Sequence, residues 1–99
     1  MSDQHIRYGV IGTGMMGIEH IANILALDNT SVSAVADTDP GSREAGHAAA
    51  GSETSVYADH HQLLADPDVD AVVVATPNFT HIDVMRDVLA TGKHVLCEK

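Results

Sequence analysis

The sequence is poor in basic residues, and this shortage limits the partners that it can have. Lysine and arginine together number five against 14 aspartates and glutamates, so the formal net charge at pH 7 is -9. Proteins bind nucleic acids and anionic membrane surfaces mainly through lysine and arginine, and no basic patch occurs in this sequence. We therefore expect neither a nucleic acid nor a membrane among its partners.

Cysteine and long apolar segments are also scarce. The single Cys97 excludes an internal disulfide, and its apolar neighbours Val95 and Leu96 predict a buried, unreactive thiol. No apolar run approaches the roughly 20 residues that a membrane-spanning helix needs. Residues 1–5 lack the basic start and the apolar core of a signal peptide, so we expect a cytoplasmic protein.

Strands alternate with helices along the chain, whose 99 residues suffice for one small domain but not for two. The predicted strands are residues 6–11, 31–36, 56–57, 71–75 and 94–97, and the predicted helices are residues 15–27, 43–50, 60–64 and 79–90. Residues 39–42 form a turn and helix start. This order predicts an α/β fold, the amino-terminal portion of a Rossmann-type, doubly wound parallel sheet.

The apolar pattern also predicts what each element buries. The near-continuous apolar run at residues 71–75 suits a strand covered on both faces, and we place it at the centre of the sheet. Two helices are predicted to bury one apolar face each, made of Ile18, Ile21, Ala22 and Leu25 in the first and of Ile82, Met85, Val88 and Leu89 in the last.

A glycine pattern follows the first predicted strand. Gly12, Gly14 and Gly17 belong to the segment Gly-Thr-Gly-Met-Met-Gly, and Asp37 ends the second strand about 20 residues later. Gly12 would permit a tight turn, Gly14 the close approach of a pyrophosphate, and Gly17 close packing of the helix on the strand. The pattern predicts a dinucleotide-binding half-site; the alternatives are a tight turn without ligand and a solvated strand end at Asp37.

The predicted helix after this loop supplies the anion site. Its first N–H groups, which include those of Met15 and Met16, have no partner within the helix and carry partial positive charge. A pyrophosphate can bind there without lysine or arginine, even in an acidic protein. We expect the side chains of Met15 and Met16 to pack at the helix start and only their backbone to contact phosphate.

Further polar residues follow other strands. The carboxyl ends of parallel strands meet at one edge, where ligands of such sheets bind. Gly12, Asp37, the segment Thr76-Pro77-Asn78 and the pair Glu98-Lys99 are all predicted at that edge. Pro77 and Asn78 also suit a plain turn with a helix cap.

Histidine is frequent, with seven residues, but we expect no metal. His60 and His61 form the only cluster. Side chains of neighbouring residues in a helix or strand point apart, which is poor geometry for shared ligation.

In combination, these motifs resemble the glucose-fructose oxidoreductase / inositol dehydrogenase / MocA family. The resemblance covers essentially the whole chain and rests on residues 12–17, Asp37, Thr76-Pro77-Asn78 with His81, and Cys97-Glu98-Lys99. It implies an NAD(P)-dependent oxidoreductase that transfers hydride at a carbinol carbon of a sugar, cyclitol or related small polyol. We also expect the complete protein to be a homo-oligomer.

The resemblance also implies roles for single residues. Asp37 would accept hydrogen bonds from the adenosine ribose, while Thr76, Pro77, Asn78 and His81 would line the cofactor. Lys99 would lie nearest the chemistry, next to Glu98. The carboxylate of Asp37 favours NAD over NADP because it repels the extra phosphate, although Arg43 could reach a phosphate or stack on adenine.

The family's second domain, with its substrate pocket and proton-transfer Asp and His, has no counterpart in residues 1–99. We therefore expect an incomplete NAD(P)-binding domain that alone is inactive and marginally stable or self-associated. The alternative is a non-catalytic dinucleotide-binding module. An adenosyl-dependent methyltransferase lacks support, because its glycine loop usually follows an acidic residue and this one follows Tyr8-Gly9-Val10-Ile11.

Overall fold

Five parallel strands form one sheet with helices on both faces. The computed structural model describes residues 5–27, 29–51, 53–75 and 78–97, with the backbone alone for residues 78–83, 96 and 97. The strands are β1 (Ile6–Ile11), β2 (Thr30–Ala36), β3 (Ser55–Tyr57), β4 (Ala71–Val74) and β5 (His94–Cys97), and the helices are α1 (Met15–Leu25), α2 (Pro40–Ala50), α3 (His60–Leu64) and α4 (Asn78–Thr91).

The strand order is β3-β2-β1-β4-β5, and every neighbouring pair is parallel. This is the order of the doubly wound dinucleotide-binding fold, so the predicted fold class is confirmed. All four residues of β4 are buried, as the prediction of a strand covered on both faces requires. Its predicted central place is wrong for the described sheet, because β5 pairs with its outer side and β1 takes the middle position.

The core consists of two apolar layers, one on each face of the sheet. Neighbouring residues of β1 point to opposite faces, so Val10 joins one layer and Ile11 the other. The layer under α1 includes Val10, Ile21, Ile24, Val32, Val35 and Val73. The layer under α3 and α4 includes Ile11, Leu63, Leu64, Val72, Val74, Val84 and Val88.

Two helices bury only part of the faces predicted for them: Ile21 and Val88 are buried as predicted, and Ile18 and Met85 pack against the core. α1 buries Gly17, Ile21 and Ile24, whereas Leu25 is 46% exposed and Ala22 is exposed too. In α4, Val84 and Val88 are buried but Leu89 is 64% exposed. Both helices carry apolar residues on more than one face, so periodicity alone left the rotation about the helix axis open. Contact with the sheet decides that rotation.

Helix ends are determined by local capping. Asp39 accepts a 2.8 Å hydrogen bond from the N–H of Ser42, and Pro40 follows it as the first helical residue, so α2 begins before the predicted 43. α1 ends at Leu25 rather than Leu27, because the chain tightens there and the N–H of Leu27 donates to the carbonyl of Ile24. No helix among the described residues has the length and apolar character to span a membrane.

An ion pair joins β1 to the residue before β4. The backbone N–H and Nε of Arg7 donate to Oδ2 of Asp70 at 2.9 and 3.0 Å, and Nη2 donates to Oδ1 at 3.1 Å. The N–H of Asp70 donates back to the Arg7 carbonyl at 2.7 Å. These hydrogen bonds from Arg7 lower the pKa of the Asp70 carboxyl. The pair aligns the starts of the two strands at the edge opposite the glycine loop.

Because of this ion pair, we expect the melting temperatures of the complete protein and of its Asp70→Asn variant to differ by an amount that depends on pH. A lowered folded-state pKa means that ionised Asp70 adds stability above its unfolded pKa, and that this stability is lost as the pH falls through the folded pKa. At pH 7 we expect a melting temperature a few degrees lower in the variant, a small change because both side chains are partly exposed. The difference should shrink at acid pH, and an unchanged difference there would refute this role.

Candidate functional site

The glycine loop has the backbone shape that the motif predicts. Gly12 has φ 95°, a left-handed conformation that a side chain would strain, and its N–H donates to the Ala36 carbonyl at 2.8 Å. A Cβ on Gly17 would lie 1.9 Å from the Gly12 carbonyl oxygen and 3.8 Å from Cγ1 of Val10. Gly17 is therefore required chiefly because α1 packs on the turn itself, and less because of β1.

The start of α1 is open to a ligand. Gly14 is its N-cap and supplies no side-chain hydrogen bond, while the N–H of Ile18 donates to the Gly14 carbonyl at 2.9 Å. The N–H groups of the preceding three residues have no carbonyl within the helix to bond. A Cβ on Gly14 would meet nothing within 4 Å. Open space next to free donors is what a phosphate group needs.

The predicted packing of the two methionine side chains at this helix start is wrong for Met15. Met15 is 89% exposed and Met16 is 42% exposed.

The carboxylate of Asp37 lies directly against the glycine loop. Its Oδ2 accepts a 2.7 Å hydrogen bond from the N–H of Thr13, and its Oδ1 accepts a 2.8 Å hydrogen bond from the N–H of Asp39. Asp37 follows β2 and Thr13 follows β1, and these neighbouring strands end in register at Ile11 and Ala36. The two parts of the predicted half-site are thus joined in one surface.

Thr13 is a site residue that the sequence interpretation missed. It is 1% exposed, its hydroxyl lies 2.5 Å from the Ser42 carbonyl oxygen, and a Cβ on Gly46 would come within 2.5 Å of its Cγ2. Thr13 therefore holds the glycine loop against α2. Gly46, which interrupts an alanine-rich helix, was the available signal, because a glycine inside a helix often marks a close contact.

Arg43 reaches the same strand end from α2. Its Nη1 donates to the backbone carbonyl of Asp37 at 3.0 Å. The guanidinium thus lies beside the backbone of Asp37, where the adenosine end of a dinucleotide would bind.

The remaining predicted site residues are described in part or not at all. Asn78 and His81 belong to α4, but their side chains lie outside the described residues, as does the thiol of Cys97. Ile11 is in register with Val74, and Val74 with Cys97, so β1, β4 and β5 end at one edge as predicted. Four predicted residues lie wholly outside the described part: Thr76, Pro77, Glu98 and Lys99.

The two adjacent histidines do not point apart, so that prediction is wrong. The ring centroids of His60 and His61 are 4.1 Å apart. α3 has only five residues, and carboxylates on either side hold both rings: Nε2 of His60 lies 2.7 Å from Asp87, and Nδ1 of His61 lies 2.8 Å from Asp59. Hydrogen bonding to Asp59 raises the pKa of His61, and hydrogen bonding to His60 lowers the pKa of Asp87.

Known proteins are similar to this chain in sequence and in fold. The family described as an oxidoreductase family with an NAD-binding Rossmann fold matches residues 6–99. An inositol 2-dehydrogenase of Saccharopolyspora erythraea is 43% identical over 95 residues, which are 95% of this chain and 28% of that protein. The chain thus spans little more than a quarter of such relatives.

Solved structures of oxidoreductases are also similar to this chain. The myo-inositol dehydrogenase of Lactobacillus casei, in complex with NAD(H) and myo-inositol, superposes with a TM-score of 0.91 at 37% identity, over 97% of this chain and 29% of that one. A variant of a 3-ketoreductase from Actinomadura kijaniata, in complex with TDP-benzene and NADP, gives a TM-score of 0.84 at 28% identity, over 95% of this chain and 30% of that one. The resemblance predicted from the motifs is confirmed, and the chain belongs to the oxidoreductase family with an NAD-binding Rossmann fold.

Proposed function

We propose that this chain is the cofactor-binding part of an NAD-dependent oxidoreductase acting on a cyclitol or a related sugar-like polyol. The observation that carries the proposal is the 2.7 Å hydrogen bond from the Thr13 N–H to the Asp37 carboxylate. It brings the acid that would recognise ribose to the loop that would hold pyrophosphate. Bound NAD would accept the hydride that leaves the substrate.

The described residues fit NAD. Each carboxylate oxygen has two lone pairs, and the backbone N–H groups of Thr13 and Asp39 use one on each oxygen of Asp37. The Thr13 hydroxyl also lies 3.3 Å from Oδ2, so Oδ1 is the less occupied of the two oxygens. The carboxylate therefore keeps acceptor capacity for ribose hydroxyls. The open space at Gly14 and the free N–H groups of α1 would take the pyrophosphate, which explains how a chain of net charge -9 can hold an anion.

The names of the relatives support the substrate class, and the roles of the remaining residues are those that the family resemblance implies. Several of them are named as inositol 2-dehydrogenases, and one solved relative holds myo-inositol. We infer that Thr76, Pro77, Asn78 and His81 line the cofactor, beside Glu98. The ammonium group of Lys99 would stabilise the alkoxide character of the substrate oxygen as hydride leaves the carbinol carbon.

An assay of the complete protein tests this function. With myo-inositol and other cyclitols or sugars as substrates, we expect NAD-dependent formation of NADH, monitored by its absorbance. Stoichiometric NAD binding without turnover of any such substrate would refute the oxidoreductase proposal and would favour a non-catalytic dinucleotide-binding module.

Cofactor choice gives a separate prediction. The complete protein should bind NAD more tightly than NADP, because the Asp37 carboxylate would repel the added phosphate. Asp37→Ser removes this repulsion and leaves Arg43 to attract the phosphate, so the ratio of the two dissociation constants should shift towards NADP by about tenfold or more. Titration of both cofactors by calorimetry measures the ratio.

Two further variants complete this experiment. Adding Arg43→Ala to Asp37→Ser should remove the gained NADP affinity. Glu53→Gln, which neutralises an exposed carboxylate in a turn after α2, should leave the ratio unchanged. Tighter binding of NADP than of NAD by the parent protein would refute the assignment.

A further inference from the structure

A cluster of two histidines and two aspartates lies where α3 meets α4. Asp59 precedes α3, His60 and His61 begin it, and Asp87 reaches the cluster from α4. Asp87 Oδ2 lies 2.7 Å from Nε2 of His60 and 2.9 Å from Nε2 of His61. On the other side, Asp59 Oδ1 lies 2.8 Å from Nδ1 of His61 and 3.8 Å from Nδ1 of His60.

The number of protons decides how these contacts can be satisfied. A neutral imidazole has one N–H, so the two rings can donate two hydrogen bonds in total. Three of the four contacts are short, and both nitrogens of His61 face carboxylate oxygens. If both Nε2 atoms donate to Asp87, the Nδ1 lone pairs are left facing the negative charge of Asp59. A cation on that side, either a proton on His61 or a metal ion, satisfies these contacts.

We propose that Asp59, His60 and His61 bind a divalent transition-metal ion such as Zn²⁺ through Oδ1 and the two Nδ1 atoms. One ligand atom from each of the three residues lies within 4.8 Å of the others. Ligand atoms around tetrahedral zinc are about 3.3 Å apart. Nδ1 of His60, now 3.8 Å from Oδ1 of Asp59, would therefore have to approach it, and Nδ1 of His61, now 2.8 Å from it, would have to move away slightly. The side chain of His61 is 64% exposed and can make this adjustment, whereas Oδ1 of Asp59 is held in place because it also accepts the backbone N–H of His61 at 2.7 Å.

Asp87 completes the arrangement without touching the metal. Histidines that ligate a metal through one nitrogen usually donate the other N–H to a carboxylate, which orients the ring and raises its basicity. Asp87 Oδ2 stands in that position for both rings, at 2.7 and 2.9 Å. Imidazole with carboxylate suits zinc and its neighbours in the transition series, whereas Mg²⁺ prefers oxygen ligands alone.

The four residues are different from those assigned to the dinucleotide site, but α3 begins at the same carboxyl edge of the sheet: Asp59 lies two residues after Tyr57, whose carbonyl accepts from the N–H of Asp37 at 3.2 Å. α3 and α4 cover one face of the sheet, and α1, which follows the glycine loop, covers the other. A bound ion would connect the start of α3 to α4 through the histidines and Asp87. We therefore expect the metal to stabilise this face of the protein.

Calorimetric titration of the complete, untagged, metal-free protein with Zn²⁺ tests the proposal. The parent protein should bind one more equivalent of zinc than the double variant His60→Ala with His61→Ala. The Asp87→Asn variant should bind this additional equivalent about tenfold more weakly than the parent does. His47→Ala, which removes a histidine from α2, should bind zinc like the parent. Mg²⁺ should not occupy the site.

Thermal unfolding supplies an independent measurement that does not depend on catalysis. Zn²⁺ should raise the melting temperature of the parent and of His47→Ala, but not that of the double variant, whose melting temperature without zinc reports whether it folds. Equal zinc binding by the parent and the double variant would overturn the proposal. So would zinc binding that persists at full strength in Asp59→Ala.

Discussion

In the complete protein, Gly17→Ala should lower stability and cofactor affinity together. The added Cβ would lie 1.9 Å from the Gly12 carbonyl oxygen and 2.8 Å from the Gly12 carbonyl carbon, and backbone atoms cannot rotate away as a side chain can. Either α1 or the turn at Gly12 must move. We expect a loss of about 2–3 kcal/mol in the free energy of unfolding. A shift of this loop should also weaken NAD binding by about 100-fold, measured by calorimetry.

Gly14→Ala is the matched control, because it adds the same methyl group where there is space. Gly14 has φ -73°, which alanine adopts freely, and its Cβ would meet nothing within 4 Å. This variant should unfold like the parent when no cofactor is present. Its methyl group would occupy the space that the pyrophosphate needs, so NAD should still bind more weakly. Gly17→Ala protein with the stability and NAD affinity of the parent would contradict the role given to this packing.

The second large effect concerns Lys99. If its ammonium group acts where charge develops on the substrate oxygen, Lys99→Ala should lower kcat of the complete protein by about 100-fold or more and leave the dissociation constant for NAD nearly unchanged. Steady-state kinetics with a cyclitol substrate and calorimetry with NAD measure the two quantities.

Lys99→Met separates charge from shape, because it keeps an unbranched side chain of similar length without the ammonium group. It should lose as much kcat as Lys99→Ala. A methionine variant with the parent's kcat would show that the side chain acts only by packing. A parent-like kcat in both variants would remove Lys99 from the chemistry.

Several features that differ from the sequence-based predictions depend on contacts between elements that are distant in sequence. His60 and His61 are neighbours, and the general geometry of a helix predicted that they diverge. Their rings come together because Asp87, from another helix, accepts from both. In the same way, nothing in the sequence near Leu89 marks it as exposed, since the rotation of α4 depends on how Val84 and Val88 meet the sheet.

The glycine loop was predictable because its demands are local. A positive φ at Gly12 and the missing side chain at Gly17 are properties of a few consecutive residues, and so are the caps that begin α2. The contact of Thr13 with Gly46 was not predictable in this way. It depends on α2 lying against the loop, which follows from the order of the strands rather than from either residue.

The sequence by itself determined the elements, their parallel direction and the common edge at which the strands end, because strand and helix periods, glycine conformations and right-handed crossovers follow from short-range sterics. Only the tertiary structure decided which helix faces are buried, that Asp37 bonds to Thr13, and that two histidines share an aspartate. These features depend on packing and hydrogen bonding between different elements of the fold, and Thr13 and Asp37, for example, are 24 positions apart. Such contacts leave no periodic signal in the chain.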